Sequence, residues 1–361
     1  MKKIKVLIVD DSALVRQMLT EILNSAPDIE VIGVAHDPIM ARDKIKALNP
    51  DVLTLDVEMP KMDGISFLRN VMRLRPMPVV MISSLTQEGA DIALEALSIG
   101  AVDYISKPKI DVAHELATYA EEIIAKVKVA AQAKVLPSGL EEIPSKPASA
   151  KKTEALGKLR KKIPVSRLKT TEKIVAIGAS TGGTEAIKEI LMNMRPDSPG
   201  TVIAQHIPRA FSAAFAKRMD SISPMAVCEA EDGQHVLPGH AYIAPGDRHL
   251  LLVRNGARYY IKLDDGELCN RHKPSVDVMF RSVEEAAGKN AIGILLTGMG
   301  ADGALGLKEM NETGSKTIAQ NENTSVVWGM PGEAVKLGAA DYVLPLNQIA
   351  KKIESLISEE K

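Results

Sequence analysis

The sequence predicts two α/β domains, each built on a doubly wound parallel sheet. In the N-terminal part, short apolar runs alternate with segments of helical periodicity, the pattern of parallel strands joined by crossover helices. The same alternation resumes near residue 173, after a stretch rich in proline and lysine. A chain of 361 residues is long enough for two such domains. We therefore expect domains at 1–127 and 173–361, joined by a linker at 128–172.

Composition argues against several classes of function. A net charge of −1 and an aromatic content of 3% provide neither a basic face nor stacking platforms for nucleic acid. No apolar run approaches the length of a bilayer span, so we expect no membrane insertion. Cys228 and Cys269 occur without a signal peptide, which predicts reduced thiols in a cytoplasmic protein. The basic linker lacks aromatic residues and an amphipathic stripe, which favours a solvated connector.

Polar residues follow four of the five predicted strands of the first domain. Its strands are predicted at Ile4–Val9, Val31–Val34, Asp51–Leu55, Val79–Ile82 and Val102–Ile105. Asp10, Asp11, Asp56, Ser83 and Lys107 then fall at carboxyl ends, where open α/β sheets bind ligands. Clustered carboxylates favour Mg²⁺, and a facing lysine suits a phosphoryl group transferred to an aspartate. An isolated acidic pair would indicate only a solvated loop, but five such residues at strand ends argue against that alternative.

These residues resemble the receiver domain of response regulators, which has a flavodoxin-like fold. The matching stretches are Val9-Asp-Asp-Ser12, Asp56-Val-Glu-Met-Pro-Lys-Met-Asp-Gly64, Ile82-Ser-Ser84 and Tyr104-Ile-Ser-Lys-Pro108. The resemblance implies that Asp56 is phosphorylated and that Asp10, Asp11 and Asp56 hold Mg²⁺. It also implies that Ser83 and Lys107 contact the phosphoryl oxygens.

The same resemblance suggests a means of regulation. Tyr104 would be the aromatic residue whose rotamer responds to phosphorylation, and a cis peptide is expected at Lys107-Pro108. The switch surface would follow the fourth and fifth strands, near Ser83 and Tyr104. We expect that surface to cover the active edge of the second domain until Asp56 is phosphorylated.

The second domain opens with a serine in a glycine-rich turn. Ile174–Ile177 predicts a strand and Thr184 begins a helical pattern, so Ser180 lies at a sharp turn that resembles a nucleophile elbow. The alternatives are a helix cap or a phosphate-binding glycine turn. A dinucleotide fingerprint requires glycine in place of Ser180 and an acidic residue after the next strand, where Gln205-His206 stands instead.

Two further strand ends supply partners for Ser180. The strand Thr201–Gln205 leads into His206, and the strand Ala291–Leu296 leads into a glycine-rich turn that contains Asp302. In a parallel sheet these ends share one edge, so the three side chains can converge. A serine nucleophile needs a histidine base, and the histidine needs a carboxylate to fix its tautomer. Taken singly, His206 could be an ordinary surface or core residue and Asp302 a helix cap.

This domain resembles the catalytic domain of the CheB methylesterase family, with a Rossmann-like sheet. The matching stretches are Ile177-Gly-Ala-Ser-Thr-Gly-Gly183, Ala204-Gln-His-Ile-Pro208, Tyr242-Ile-Ala-Pro-Gly-Asp-Arg-His249, Arg271-His-Lys-Pro-Ser-Val-Asp277 and Leu296-Thr-Gly-Met-Gly-Ala-Asp-Gly303. The resemblance implies Ser180 as nucleophile, His206 as base and Asp302 as its orienter. It places Thr181 beside the nucleophile and the Met299 amide in the oxyanion hole.

The implied activity is hydrolysis of glutamate γ-methyl esters on chemotaxis receptors, with glutamine deamidation as a second reaction. A chemotaxis histidine kinase would be the phosphodonor, and the esterase reaction would need no cofactor. Arg271, His272 and His249 are candidates to line the substrate groove.

Two other functions remain open on the residues alone. A response regulator with a DNA-binding output domain would need a helix-turn-helix and a basic face in residues 173–361. A nucleotide-binding module would use the glycine turn at Gly178, although that turn lacks the middle glycine and the acidic ribose contact.

Overall fold

Two parallel sheets form the framework of this chain, which a computed structural model describes over residues 2–59, 63–83, 87–107, 115–133 and 173–358. In the first domain the strands have the order β2-β1-β3-β4-β5 and all pair in parallel. The elements are β1 (Ile4–Val9), α1 (Ala13–Asn24), β2 (Ile29–Ala35), α2 (Pro38–Leu48), β3 (Val52–Asp56), α3 (Gly64–Leu74), β4 (Val79–Ser83), α4 (Gln87–Ile99), β5 (Asp103–Ser106) and α5 (Glu115–Gln132). The predicted doubly wound sheet is confirmed.

Local sequence explains how these elements begin. Ser12 accepts a hydrogen bond from the Val15 amide and caps α1, and Asp37 caps α2 in the same way at the Met40 amide. Residues of β3 are buried along its whole length, as expected for a central parallel strand covered by helices on both faces. Such strands are continuous apolar runs, which is why the sequence identifies them.

The second domain contains a larger parallel sheet of seven strands, in the order β14-β13-β12-β6-β7-β9-β8. Its elements are β6 (Ile174–Ala179), α6 (Gly183–Asn193), β7 (Gly200–Gln205), α7 (Arg209–Ile222), β8 (Ala226–Glu229), β9 (His240–Ile243), β10 (His249–Asn255), β11 (Arg258–Asp264), α8 (Val276–Ala287), β12 (Ala291–Leu295), α9 (Ala304–Glu312), β13 (Lys316–Gln320), α10 (Met330–Lys336), β14 (Tyr342–Leu344) and α11 (Leu346–Ser358). The strands β12, β6 and β7 are neighbours, so the strands that lead to Asp302, Ser180 and His206 lie side by side.

The antiparallel hairpin of β10 and β11 has no counterpart among the elements predicted from the sequence. Asn255 pairs with Arg258 across a two-residue loop in which Gly256 has a φ of +60°. A glycine at the first central position is typical of hairpin turns that match the strand twist. This hairpin is separate from the large parallel sheet, and α8 packs against β10.

The first domain extends beyond the boundary expected at residue 127. Helix α5 continues to Gln132, and Val127 and Ala130 are both buried in the core of the receiver-like domain. The alanine-rich end of this segment weakens the apolar periodicity, yet alanine is the strongest helix former. Residues 134–172, most of the expected linker, lie outside the described part of the chain.

The two domains pack directly against each other. Helix α4 lies against α7 and α6, and one cluster of buried apolar residues includes members of both domains. Tyr104 of β5 stacks on Phe211 of α7, with ring centroids 4.6 Å apart. Tyr104, the aromatic residue expected to respond to phosphorylation, is therefore buried in the domain interface.

Candidate active site

Ser180 lies in a sharp turn between β6 and α6. Its amide donates to the carbonyl of Thr297, and its own carbonyl accepts from the Gly183 amide at 2.7 Å. Gly182 adopts a φ of +76°, and a Cβ on Gly183 would lie 2.1 Å from the side-chain oxygen of Gln205. Both glycines are therefore required for the chain to turn this tightly and present the serine at the sheet edge.

His206 bridges Ser180 and Asp302. Its Nδ1 lies 3.1 Å from the Ser180 hydroxyl oxygen, and its Nε2 lies 2.8 Å from Oδ2 of Asp302. Because a carboxylate only accepts hydrogen bonds, the proton of the neutral imidazole belongs on Nε2. Nδ1 is then free to accept the serine proton. The structure thus brings together the three residues that the sequence placed at strand ends.

Asp302, in the turn before α9, is buried against the N-terminus of α8. Hydrogen-bond donors surround both of its carboxylate oxygens. Oδ1 accepts hydrogen bonds from Asn270 Nδ2, Ser275 Oγ and the Asp277 amide. Oδ2 accepts from His206 Nε2 and the Val276 amide, and all five distances lie at 2.7–3.3 Å. Burial raises the pKa of the Asp302 carboxyl, but the hydrogen bonds from His206, Asn270 and Val276 outweigh it and hold the pKa well below its ordinary value. Asp302 is therefore a fixed anion behind the histidine.

His272 covers one face of the His206 imidazole. Its ring stacks on His206 with centroids 3.7 Å apart and planes inclined by 15°. Burial and the adjacent His206 lower the pKa of His272 to about 4, so it is neutral near pH 7. A neutral ring can pack on His206 without repelling an imidazolium at that position.

The other two groove candidates differ from each other. The Arg271 side chain is 87% exposed and lies 3.5 Å from Glu121 of α5. His249 is buried instead, with Nε2 against the Glu267 carbonyl and Nδ1 accepting from the Ser275 amide. The suggestion that His249 lines a substrate groove is therefore wrong, because both of its nitrogens support the loop before α8.

Thr181 follows Ser180 in the sequence, and Met299 follows Gly298 in a second turn that approaches Ser180. The Thr181 hydroxyl donates to Oδ2 of Asp103, in the first domain, at 2.6 Å. Met299 is half-buried in the turn between β12 and α9. In that turn a Cβ on Gly298 would lie 2.8 Å from the Ser180 Cβ. Only glycine lets this turn approach the serine, and the next backbone amide is that of Met299.

Sequence reasoning missed Asn270, Ser275 and Asp277 as members of the site. Ser275 is the N-cap of α8, so a proline-serine pair before a helical pattern was the available signal. Asp277 is buried and accepts from the Gly306 amide at 2.7 Å. Nothing in the sequence pattern marks Asn270, whose contribution depends on the shape of one turn.

The acidic residues that follow the strands of the first domain also lie close together, as expected from the strand ends. One carboxylate oxygen from each of Asp10, Asp11 and Asp56 lies within 4.8 Å of the others. Lys107 donates to Asp56 at 2.8 Å. Burial, reinforced by Asp10 and opposed by Lys107, raises the pKa of Asp56 to about 6. The Ser83 side chain and the Lys107-Pro108 bond lie outside the described residues.

The acidic cluster suits a divalent cation. Oδ2 of Asp10 is buried and makes no hydrogen bond within the described residues. A hard cation with oxygen ligands would satisfy that atom and offset the repulsion among the three carboxylates. The donor set therefore fits Mg²⁺.

The comparisons with known proteins agree with this geometry. A CheB methylesterase family model matches residues 175–353, and a response regulator receiver domain model matches residues 6–117. A protein-glutamate methylesterase/protein-glutamine glutaminase of Hydrogenovibrio crunogenus is 58% identical, over 99% of this chain and all of that protein. This chain belongs to the CheB family.

Other relatives and a solved structure extend the match. A protein of the same name from Xanthomonas campestris pv. campestris is also 58% identical, over 99% of this chain and 98% of its own length. The crystal structure of the Thermotoga maritima CheB methylesterase catalytic domain is 40% identical, with a TM-score of 0.51, and covers 52% of this chain and 99% of its own. A DNA-binding or nucleotide-binding output domain is not supported. Within the described ranges, every helix is too short or too polar to cross a membrane.

Proposed function

We propose that this CheB protein hydrolyses glutamate γ-methyl esters on chemotaxis receptors, releasing methanol, and deamidates receptor glutamines. The single observation that carries the proposal is the hydrogen-bonded chain from Ser180 through His206 to Asp302. This chain contains the nucleophile, base and orienting anion that acyl transfer requires. Ester and amide substrates proceed through the same acyl-enzyme, so one site serves both reactions.

The reaction proceeds in two halves. Ser180 Oγ attacks the γ-carbonyl carbon while Nδ1 of His206 accepts the hydroxyl proton, and Asp302 stabilises the imidazolium. The tetrahedral oxyanion faces the turn after Gly298, where we assign the Met299 amide as a donor. Collapse releases methanol, which takes the proton from His206, and leaves a γ-glutamyl ester on Ser180. Water then attacks this ester while His206 accepts a water proton. As the second tetrahedral intermediate collapses, His206 returns that proton to Ser180 Oγ, and the glutamate product departs.

Phosphorylation of Asp56 regulates this reaction in our proposal. Asp10, Asp11 and Asp56 would hold Mg²⁺, which offsets the charge of the incoming phosphoryl group. Lys107 already contacts Asp56 and is placed to bind a phosphoryl oxygen, with Ser83 as the second contact. A chemotaxis histidine kinase in the cytoplasm supplies the phosphoryl group.

The domain interface supports autoinhibition as the means of control. Asp103 of β5 accepts from Thr181, which adjoins the nucleophile, and the next residue, Tyr104, stacks on Phe211. A receptor helix must displace these receiver elements to lie along the active edge. Repacking of Tyr104 after phosphorylation would weaken the interface and open the site.

Two measurements test the proposal. Ser180→Ala should retain less than about a tenth of the methanol release from methyl-labelled receptor, with unchanged folding. The matched control is Ser221→Ala, because the Ser221 hydroxyl donates to the Arg218 carbonyl of its own helix. If Ser180→Ala retains more of the methanol release than that, Ser180 is excluded as the nucleophile.

Regulation is tested separately. A protein comprising residues 173–361 should be faster than the unphosphorylated full chain, and Asp56→Asn should keep basal activity but ignore a phosphodonor. If the isolated catalytic domain is no faster, blockage by the receiver is refuted. Active assistance by the phosphorylated receiver would then replace it.

A further inference from the structure

A short turn outside the triad contacts both the base and its carboxylate. Cys269 and His272 exchange backbone hydrogen bonds of 3.2 and 2.9 Å, which closes a two-residue turn. Asn270 and Arg271 occupy its centre with φ values of 52° and 68°. Positive φ at both central positions is the pattern of a type I′ turn, and asparagine is among the residues that tolerate it best. The turn places His272 on the His206 ring and Asn270 against Asp302.

The Asn270 amide group bridges two buried carboxylates. Nδ2 donates to Oδ1 of Asp302 at 2.8 Å and to Oδ2 of Asp277 at 2.7 Å. Both hydrogens of the amide are therefore committed, and the amide cannot rotate without turning its oxygen toward an anion. The other oxygen of Asp277 is fixed by the Gly306 amide of α9. Asn270 is itself exposed, but its amide reaches carboxylates that are 1% and 2% exposed.

The chemistry of this bridge explains why an amide suits the position. Two adjacent carboxylates repel each other, and burial with the nearby Asp302 raises the pKa of Asp277. A lysine or arginine would relieve the repulsion, but its positive charge would form an ion pair with Asp302 and weaken the interaction of Asp302 with His206. A neutral donor relieves the repulsion and leaves the anion available to the imidazole.

We propose that Asn270 is a positioning residue of the esterase, which orients Asp302 so that Oδ2 receives the Nε2 proton of His206. This role rests on the proposed function, since it concerns the same reaction. Asn270 binds Oδ1, on the side of the carboxylate away from the imidazole, and it acts through Asp302 rather than on substrate. Its amide thereby favours the tautomer in which Nδ1 can accept the serine proton.

Two variants of the full chain separate the side chain from the turn. Asn270→Gly keeps a residue that accepts positive φ but removes the amide, and Asn270→Asp keeps the shape but replaces the donor with a carboxylate. Asn49→Gly is the control, because Asn49 has a φ of 50° and lies in the receiver domain. Each variant is examined by thermal unfolding, by kcat and KM for methylated receptor, and by the ¹⁵N NMR signals of His206.

We expect kcat to fall about 10-fold in Asn270→Gly with KM little changed, because Asp302 keeps its other donors. Asn270→Asp should lose more, and the acid limb of its kcat/KM profile should move to higher pH, because a third carboxylate favours the imidazolium. In both variants the NMR signals should show a mixture of tautomers, whereas wild type and Asn49→Gly should carry the proton on Nε2.

The NMR signals of His206 distinguish failure of the proposed function from failure of the role proposed for Asn270. If wild type lacks esterase activity while the His206 tautomer changes in the Asn270 variants, the proposed function fails, and what stands is that Asn270 orients Asp302 toward His206. If folded Asn270→Gly and Asn270→Asp both keep the wild-type tautomer, kcat and pH profile, the positioning role is refuted. If Asn270→Gly fails to fold, Asn270→Asp alone decides by the same measurements.

Discussion

Replacing Asp302 with asparagine tests how the histidine tautomer is set. An asparagine at this position must place its NH₂ group at one of the two oxygen positions. At the Oδ1 position it would face Asn270, whose amide cannot turn because its second hydrogen serves Asp277. At the Oδ2 position it would face the Val276 amide and Nε2 of His206. The Oδ2 position faces two hydrogen-bond donors and the Oδ1 position faces three. We therefore expect the NH₂ group to take the Oδ2 position and face the histidine.

The cost of this change follows from the proton on the imidazole. With an NH₂ group beside it, Nε2 must become an acceptor, and the proton moves to Nδ1. Nδ1 lies 3.1 Å from Ser180 Oγ and would then donate to the hydroxyl instead of accepting its proton. The same tautomer change in a serine protease costs about 10⁴-fold in kcat, and we expect a loss up to about that size here. The new contact with the Val276 amide should also cost about 1–3 kcal/mol of stability.

The assay is single-turnover methanol release, with ¹⁵N NMR to locate the imidazole proton. Asp341→Asn is the matched control, because Asp341 accepts from the Thr317 amide and from Asn311, each at 3.0 Å, in the same domain. It should lose stability but keep its turnover per folded molecule. A rate for Asp302→Asn within about 10-fold of wild type, with the proton still on Nε2, would refute the tautomer argument.

Three further results are expected. His206→Ala should lose about as much activity as Ser180→Ala, because the two act as a unit, and full activity in steady-state assays would exclude His206 as the base. Asp103→Ala removes the acceptor of the Thr181 hydroxyl, so the unphosphorylated chain should become up to about 10-fold faster; an unchanged basal rate would exclude this bond as a restraint. The pKa of His272 is about 4 in the folded chain, against an ordinary value of 6.5. As pH falls between these two values, His272 is therefore protonated in the unfolded chain before it is protonated in the folded chain. Stability should drop by about 2 kcal/mol between pH 8 and pH 5, and His272→Phe should lack this contribution in urea unfolding.

The sequence predicted the triad because its members follow buried parallel strands. Such strands are short apolar runs, and their carboxyl ends meet at one edge of the sheet. Ser180, His206 and Asp302 could therefore be placed together although they are far apart in the chain. The same rule placed Asp10 and Asp56 together in the first domain. The proximity of these side chains could be predicted because sheet geometry alone determines which of them meet.

The rest of the site depends on loop conformation, which the pattern of residues does not encode. Asn270 reaches Asp302 only because two consecutive residues adopt positive φ, and neither of them is glycine. His249 occurs in a stretch that matches the family, yet its bonds to Glu267 and Ser275 make it structural. The end of α5 was misjudged because alanine supports a helix without supplying a strong apolar stripe.

The position of Thr181 gives the regulation a thermodynamic consequence. Its hydroxyl is held by Asp103, and Asp103 directly precedes the aromatic residue packed in the interface. If phosphorylation favours the state in which this contact is broken, then any ligand that requires the broken contact favours phosphorylation by the same free energy. In the proposed mode of regulation, a receptor helix bound along the active edge would be such a ligand, because it would have to displace the receiver. Phosphorylation of Asp56 should therefore be more favourable in the receptor-bound enzyme than in the free enzyme. The two sites are then coupled in both directions through a single interface.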